Sequence, residues 1–183
     1  MVKQDLPGLV ACLSRALHSE QRQQAVAAGL PAVQWTILQY LRRANRYSNT
    51  PQALGDYLGL TKGTVSQSLK RLESNGWITR AADVRDGRIV RLELTDKARN
   101  LVEDGSDAEW AAAVASLPAT ERNAAEAALT RLLSGWQKSR QGRTFGVCRS
   151  CTNFQAGTQT HRCRLTNEPL SEDDSTRICR EHA

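Results

Sequence analysis

The stretch Leu60-Thr61-Lys62-Gly63-Thr64-Val65-Ser66-Gln67-Ser68-Leu69-Lys70-Arg71-Leu72-Glu73-Ser74-Asn75-Gly76 decides the fold. Thr61 is of the type that caps a helix N-terminus, because its hydroxyl accepts from an amide the helix leaves unpaired. Val65, Leu69 and Leu72 recur at i, i+4 and i+7, the spacing that puts apolar side chains on one helical face. Gly76 then supplies a stop. The opposite face carries Lys62, Gly63, Ser66, Gln67, Lys70 and Arg71, with no acid before Glu73. Small residues let such a helix sit deep in a DNA major groove. Gln67 can pair bidentately with an adenine edge, and Lys62 or Lys70 can reach guanine or phosphate. Taken alone, this polar face is equally compatible with a merely solvated helix.

The neighbours on either side change that. Upstream, Thr50-Pro51 opens a short helix with Leu54, Tyr57 and Leu58 expected inward, and Gly59 closes it. A helix expected to open at Pro31 precedes it, with Val33, Ile37, Leu38 and Leu41 on its apolar face and Arg42, Arg43 and Arg46 crowding its end. A first helix, from about Leu6 to Ala28, carries Leu6, Leu9, Val10, Leu13 and Leu17 on one side; Cys12 beside that stripe reads as a small buried hydrophobe. Downstream, about Trp77 to Ala81 and Arg88 to Leu94 read as strands around Asp83-Val84-Arg85-Asp86-Gly87-Arg88, where Asp-Gly signals a hairpin. The hairpin tip would bring Arg85 and Arg88 beside the minor groove, oriented by Asp83 and Asp86. Thr95 should cap a long helix whose later part bears Trp110, Val114 and Leu117. A last helix, from about Pro118 to Lys138, aligns Leu129, Leu132, Leu133 and Trp136.

The order of parts is that of a winged helix-turn-helix: mainly α with a small β-wing, in the α+β class, with helices at both ends. Seven Lys/Arg face four acids between residues 61 and 94, and the 183-residue chain carries a formal +6, both of which suit a polyanionic partner. At 40% hydrophobic residues it can bury a core. No run reaches the roughly 20 apolar residues a membrane helix needs. Asp5, Pro7 and Gly8 interrupt the N-terminus, so no signal peptide is read there and the cytoplasm is the expected location.

At these residues the chain resembles the MarR family of bacterial regulators. The resemblance is carried by Val33-Gln34-Trp35-Thr36-Ile37-Leu38, by Leu60 through Ile78, by the wing Asp83 to Arg88 and by the exit Leu92-Glu93-Leu94-Thr95, across roughly residues 6 to 138. It implies a triangular homodimer joined by the first helix and the last two, and a repressor bound to a pseudo-palindromic double-stranded DNA operator. It also implies a DNA-binding set of Thr61, Lys62, Gly63, Thr64, Ser66, Gln67, Lys70, Arg71, Arg85 and Arg88. Trp110, Val114, Leu129, Leu132 and Trp136 would then be interface or core, and small aromatic acids possible effectors. The domains expected are 1–30 (dimerisation), 31–95 (DNA binding), 96–140 (dimerisation) and 141–183.

That last segment departs from the family's bulk. It holds four of the five cysteines, as Cys148-x2-Cys151-x11-Cys163-x15-Cys179, with His182 three residues beyond and His161 just before Cys163. It shows no helical period and reads as an irregular appendage folded by something other than a large apolar core. In a reducing compartment this pattern signals metal before disulfides. Structural zinc could take four cysteines, or three with His182 or His161; Cys148-x2-Cys151 and Cys179-x2-His182 resemble facing zinc knuckles, but that pairing leaves Cys163 unused. An iron–sulfur cluster of the 4Fe-4S type uses all four cysteines and gives a regulator a redox, oxygen or iron signal. Its ligand spacing is similar to that of cluster-loaded DNA-processing enzymes such as one uracil-DNA glycosylase class. Loss of the cluster would unfold the tail and change the separation of the recognition helices. A metal-free thiol switch is the third reading. Arg149, Arg162, Arg164 and Arg180 adjoin the cysteines and are expected to favour their thiolates. No paired carboxylates or nucleophile–base set supports catalysis, so no enzyme is expected.

Overall fold

The computed structural model describes residues 5–104, 108–139, 144–158 and 160–183. The N-terminal half runs α1 (Leu6–Ala27), α2 (Ala32–Arg43), α3 (Pro51–Leu58), α4 (Lys62–Ser74), β1 (Ile78–Ala82) and β2 (Val90–Leu94). Local chemistry sets these boundaries. Thr50 and Thr61 cap α3 and α4 by accepting from Ala53 N and Thr64 N, each at 3.2 Å. Gly59 ends α3 at φ +66°, a left-handed conformation that costs glycine little. Pro31 proves to be the N-cap of α2, not its first helical residue: its ψ of 140° is extended, and its carbonyl accepts from Gln34 N and Trp35 N.

The core lies under the helix-turn-helix. Trp35, Ile37, Leu38 and Leu41 of α2 meet Leu54 of α3 and Val65, Leu69 and Leu72 of α4. Leu92 and Leu94 of β2 close it from the wing side, with Ala98 and Val102 of α5 (Asp96–Asp104) below. Leu92 N donates to Asn49 O at 2.8 Å, which ties the wing to the α2–α3 connection. Of the expected long helix after Thr95, α5 and α6 (Ala108–Ala115) are described and residues 105–107 lie outside the described residues; Leu117 lies past the end of α6. α7 (Ala119–Ser139) follows; among its described residues none is buried.

Two expectations for apolar stripes need correction. Cys12 is exposed, on a helix whose buried residue is Ala25. Tyr57 does not enter the core under α3. Its ring stands between Tyr40 (centroids 4.8 Å) and Phe145 (5.2 Å, edge-on), so it faces the C-terminal segment.

That segment is not an irregular appendage. β3 (Gly146–Val147) pairs with β7 (Ile178–Cys179), and β4 (Phe154–Gln155), β5 (His161–Cys163) and β6 (Glu168–Leu170) form an antiparallel sheet. A 3₁₀ turn spans Cys148–Ser150. The short helix α8 (Glu172–Thr176) begins in a capping box between Ser171 and Asp174. Gly157 permits one tight turn here, since a Cβ would stand 2.0 Å from Thr160 O. The segment docks on the helix-turn-helix through main-chain bonds. Asn45 N donates to Ile178 O and Arg180 N to Ser48 Oγ, both at 2.9 Å.

Candidate DNA interface and cysteine cluster

α4 presents one face to the core and the other to solvent. Thr61, Lys62, Gly63, Ser66, Gln67, Lys70 and Arg71 are exposed and Thr64 is half-buried. The Thr61 and Thr64 hydroxyls bond each other at 2.9 Å, so their first task is to cap the helix. Among the described residues, the side chains of Lys62, Ser66, Gln67, Lys70 and Arg71 make no intramolecular hydrogen bond or ion pair. The acid on this helix, Glu73, is paired by Arg80 of β1 at 3.0 Å, which mutes its repulsion toward a phosphate.

The wing is organised by its aspartates, in a division of labour the sequence did not show. Asp83 accepts from Arg85 N (2.8 Å) and Asp86 N (3.1 Å), shaping the turn, and its other oxygen holds Arg91 Nε at 2.6 Å. The backbone bond from Arg85, then Arg91, holds the Asp83 carboxyl down to a pKa of about 2. Asp86 grips Arg88 bidentately at 2.9 Å and is itself lowered by that side-chain bond. Thus Asp86 orients Arg88 as expected, while Asp83 serves Arg91 and the Arg85 backbone. The Arg85 guanidinium pairs instead with Glu168 of β6.

The four tail cysteines share one locus. Cys148, Cys179 and Leu170 form a buried cluster, against which Cys163, Phe154 and Tyr47 pack. Cys151 Sγ accepts from Asn153 N and Ala183 N at 3.4 Å each. Burial, then the neighbouring Cys179, Cys151 and Cys163, push the Cys148 thiol up to about 12; burial also raises Cys179. The flanking arginines, expected from the sequence to sit beside the thiols, are engaged elsewhere. Their side chains turn away, Arg149 to Glu172 (2.5 Å), Arg162 to Asn167, Arg164 to Thr152 O and Arg180 to Asp56 (3.4 Å).

One buried group does face the cysteines. Asn45 is 1% exposed, and its Oδ1 accepts from Tyr47 N and Ser48 Oγ, but its Nδ2 has no partner at hydrogen-bonding distance. The Asn45 side chain works against burial at Cys179, lowering a thiol that burial raises. His182 is used otherwise: Nε2 bonds Ser150 Oγ at 3.0 Å, and its ring lies where a Cβ on Gly146 would collide at 2.6 Å. His161 bonds Glu172 at 2.8 Å. Among the described residues, no three Cys, His, Asp or Glu side chains converge as ligands of one metal ion.

Comparison with known proteins bears on the module that contains the first of these surfaces. Residues 28–89 match the sequence model of the MarR family. The fold is MarR-like. The transcriptional regulator PA3341 superposes with a TM-score of 0.63 at 27% identity, covering 73% of this chain and 99% of that one. The MepR–DNA complex of S. aureus gives 0.57 at 26%, covering 73% and 99%. The HTH-type transcriptional regulator YwoH of Bacillus subtilis (strain 168) is 31% identical over 91 residues, 50% of this chain and 64% of YwoH. The chain thus spans less than two-thirds of that curated relative. YwoH and PA3341 are named as transcriptional regulators and MepR is solved on DNA; none of the three is named as an enzyme. The MarR-like module contains every α4 and wing residue singled out in the sequence, and the four tail cysteines lie beyond the matched residues. Among the described residues, no helix is long and apolar enough to cross a membrane.

Proposed function

We propose that this protein is a DNA-binding transcriptional regulator, acting as a homodimer, whose cysteine-rich tail carries an iron–sulfur cluster. The observation that carries the DNA reading is the outer face of α4. Among the described residues its cations and Gln67 have no side-chain partner, beside a wing in which Asp86 orients Arg88. A face left unneutralised in the free protein is poised to exchange water and counterions for phosphates. Dimerisation follows from the apolar residues of α1, α6 and α7. Leu6, Leu9, Leu13, Trp110, Leu129, Leu132 and Trp136 are 41–58% exposed in the protomer, an apolar surface that a second copy would bury. Repression of a pseudo-palindromic operator fits such a two-fold symmetric reader.

For the tail, an iron–sulfur cluster uses all four neighbouring cysteines, because each iron takes its own thiolate at a separate corner. The orphaned Asn45 N–H suits the same reading, since such donors stabilise metal-bound sulfur. When bound, the cluster would supply one-electron redox chemistry. Cys148, Cys151, Cys163 and Cys179 would hold it and Asn45 would donate toward Cys179, with His182 left to Ser150.

Two measurements test this. A duplex should be selected from a randomised pool, and its affinity should fall roughly a thousandfold or more between about 50 and 200 mM salt, as for some six or more phosphate contacts. A dimer that selects nothing would end the DNA reading. Protein purified without oxygen should be brown, with a broad band near about 400 nm and acid-labile sulfide. A colourless protein with one zinc per chain would replace the cluster by a structural ion and move the signal to a small-molecule effector.

A further inference from the structure

The tail meets the wing through one carboxylate. Glu168 accepts from Tyr47 Oη at 2.6 Å, lies 3.8 Å from Arg46 Nη2, and pairs with Arg85 at the wing. Two guanidiniums and a hydroxyl around one partly buried anion are the surroundings a DNA phosphate would have. The rest of the hairpin crowds the same side. Leu165 and Thr166, at its tip, share a cleft of about 540 Å³ with Arg88, Ile89 and Val90 of the wing and Thr50, Pro51 and Gln52 at the start of α3.

Glu168 is also wired to the cysteines. It stands opposite Cys163 in the β5–β6 register. Two residues on, and so on the same face of the strand, Leu170 is buried between Cys148 and Cys179. Tyr47 packs against that cluster and holds Glu168 by its hydroxyl. Glu168 thus stands on a strand whose pairing partner and buried neighbour both belong to the cysteine locus.

We infer that the β5–β6 hairpin is an intramolecular brake on DNA binding, in which Glu168 occupies Arg85 in place of a phosphate and loss of the cysteine centre releases it. The inference rests on the DNA-binding reading of the wing. It places the coupling at the wing itself, in addition to any change in dimer geometry.

The test uses the full-length protein, the duplex it selects, and Glu168→Gln, which removes the charge but leaves an oxygen for Tyr47. E168Q should bind roughly two- to fivefold more tightly, the fold equivalent of an exposed ion pair. Its salt dependence should steepen by about one, for the freed Arg85. In an Arg85→Ala background the substitution should change neither quantity. Cys163→Ser should reproduce the gain of E168Q, and combining the two should add nothing. Unchanged or weaker binding by E168Q, or a gain that persists without Arg85, overturns the brake. A second readout needs no DNA: amide hydrogen exchange over residues 83–89 should accelerate in E168Q. If the wild type selects no duplex, the DNA reading falls and the brake with it; if duplexes are selected but wing exchange is unchanged, the brake alone falls.

Discussion

Leu72→Ala should lower the unfolding free energy by roughly 2–5 kcal/mol, while Gln67→Ala, five residues earlier on the same helix, should leave it within about 0.5 kcal/mol. Leu72 is fully buried where α4 lies on α2, so truncation leaves a cavity in a packed interior. Gln67 is exposed, and its side chain bonds nothing among the described residues. The DNA phenotypes should separate differently. Gln67→Ala should cost roughly 1–3 kcal/mol of operator affinity per half-site through a lost bidentate base contact, and should relax sequence preference there. Leu72→Ala should lose affinity only in proportion to the fraction unfolded. Denaturation must be followed at fixed protein concentration, because a dimer's stability depends on it. A stable but sequence-blind Gln67→Ala is the expected result; unchanged specificity would remove Gln67 from the reading set.

If the tail carries the proposed metal centre, its removal should unfold the tail and spare the helix-turn-helix. The segment from residue 144 onward is about 40 residues long, a size at which metals or disulfides are usually needed for folding. Its interior consists of Cys148, Cys179 and Leu170, with Phe145 and Ile178 along the docking side. Metal-binding free energies in small domains reach roughly 10–16 kcal/mol, so the loss should be complete and not a loosening. Chelation or oxidation should abolish amide protection over residues 144–183 while residues 32–102 keep theirs, the latter resting on an apolar core of their own. Loss of the band near about 400 nm should run in parallel. Persistence of tail protection after bleaching would mean that the docking bonds to Asn45 and Ser48 suffice, and that the cysteines serve chemistry without holding the fold.

Legibility in the sequence followed the range of the interactions. The caps Thr50 and Thr61, the stops Gly59 and Gly76 and the two faces of α4 are properties of a few consecutive residues, and each stands where the sequence put it. The tail strands were not legible, because runs of two or three residues carry no period to detect. Tyr57 was misread for a related reason. Its helical position marked it as inward, but the apolar surface it meets is Phe145, far along the chain.

The sequence by itself determined a winged helix-turn-helix with a basic reading face and a four-cysteine tail, since short-range periodicity, capping and charge specify them. Only the tertiary structure decided what the tail touches. Asn45 acts on Cys179, Tyr47 packs against the cysteine cluster, and Glu168 takes Arg85 from 83 positions away. Such pairs are chosen by how two surfaces close over each other in three dimensions, and no local pattern in either partner encodes the other.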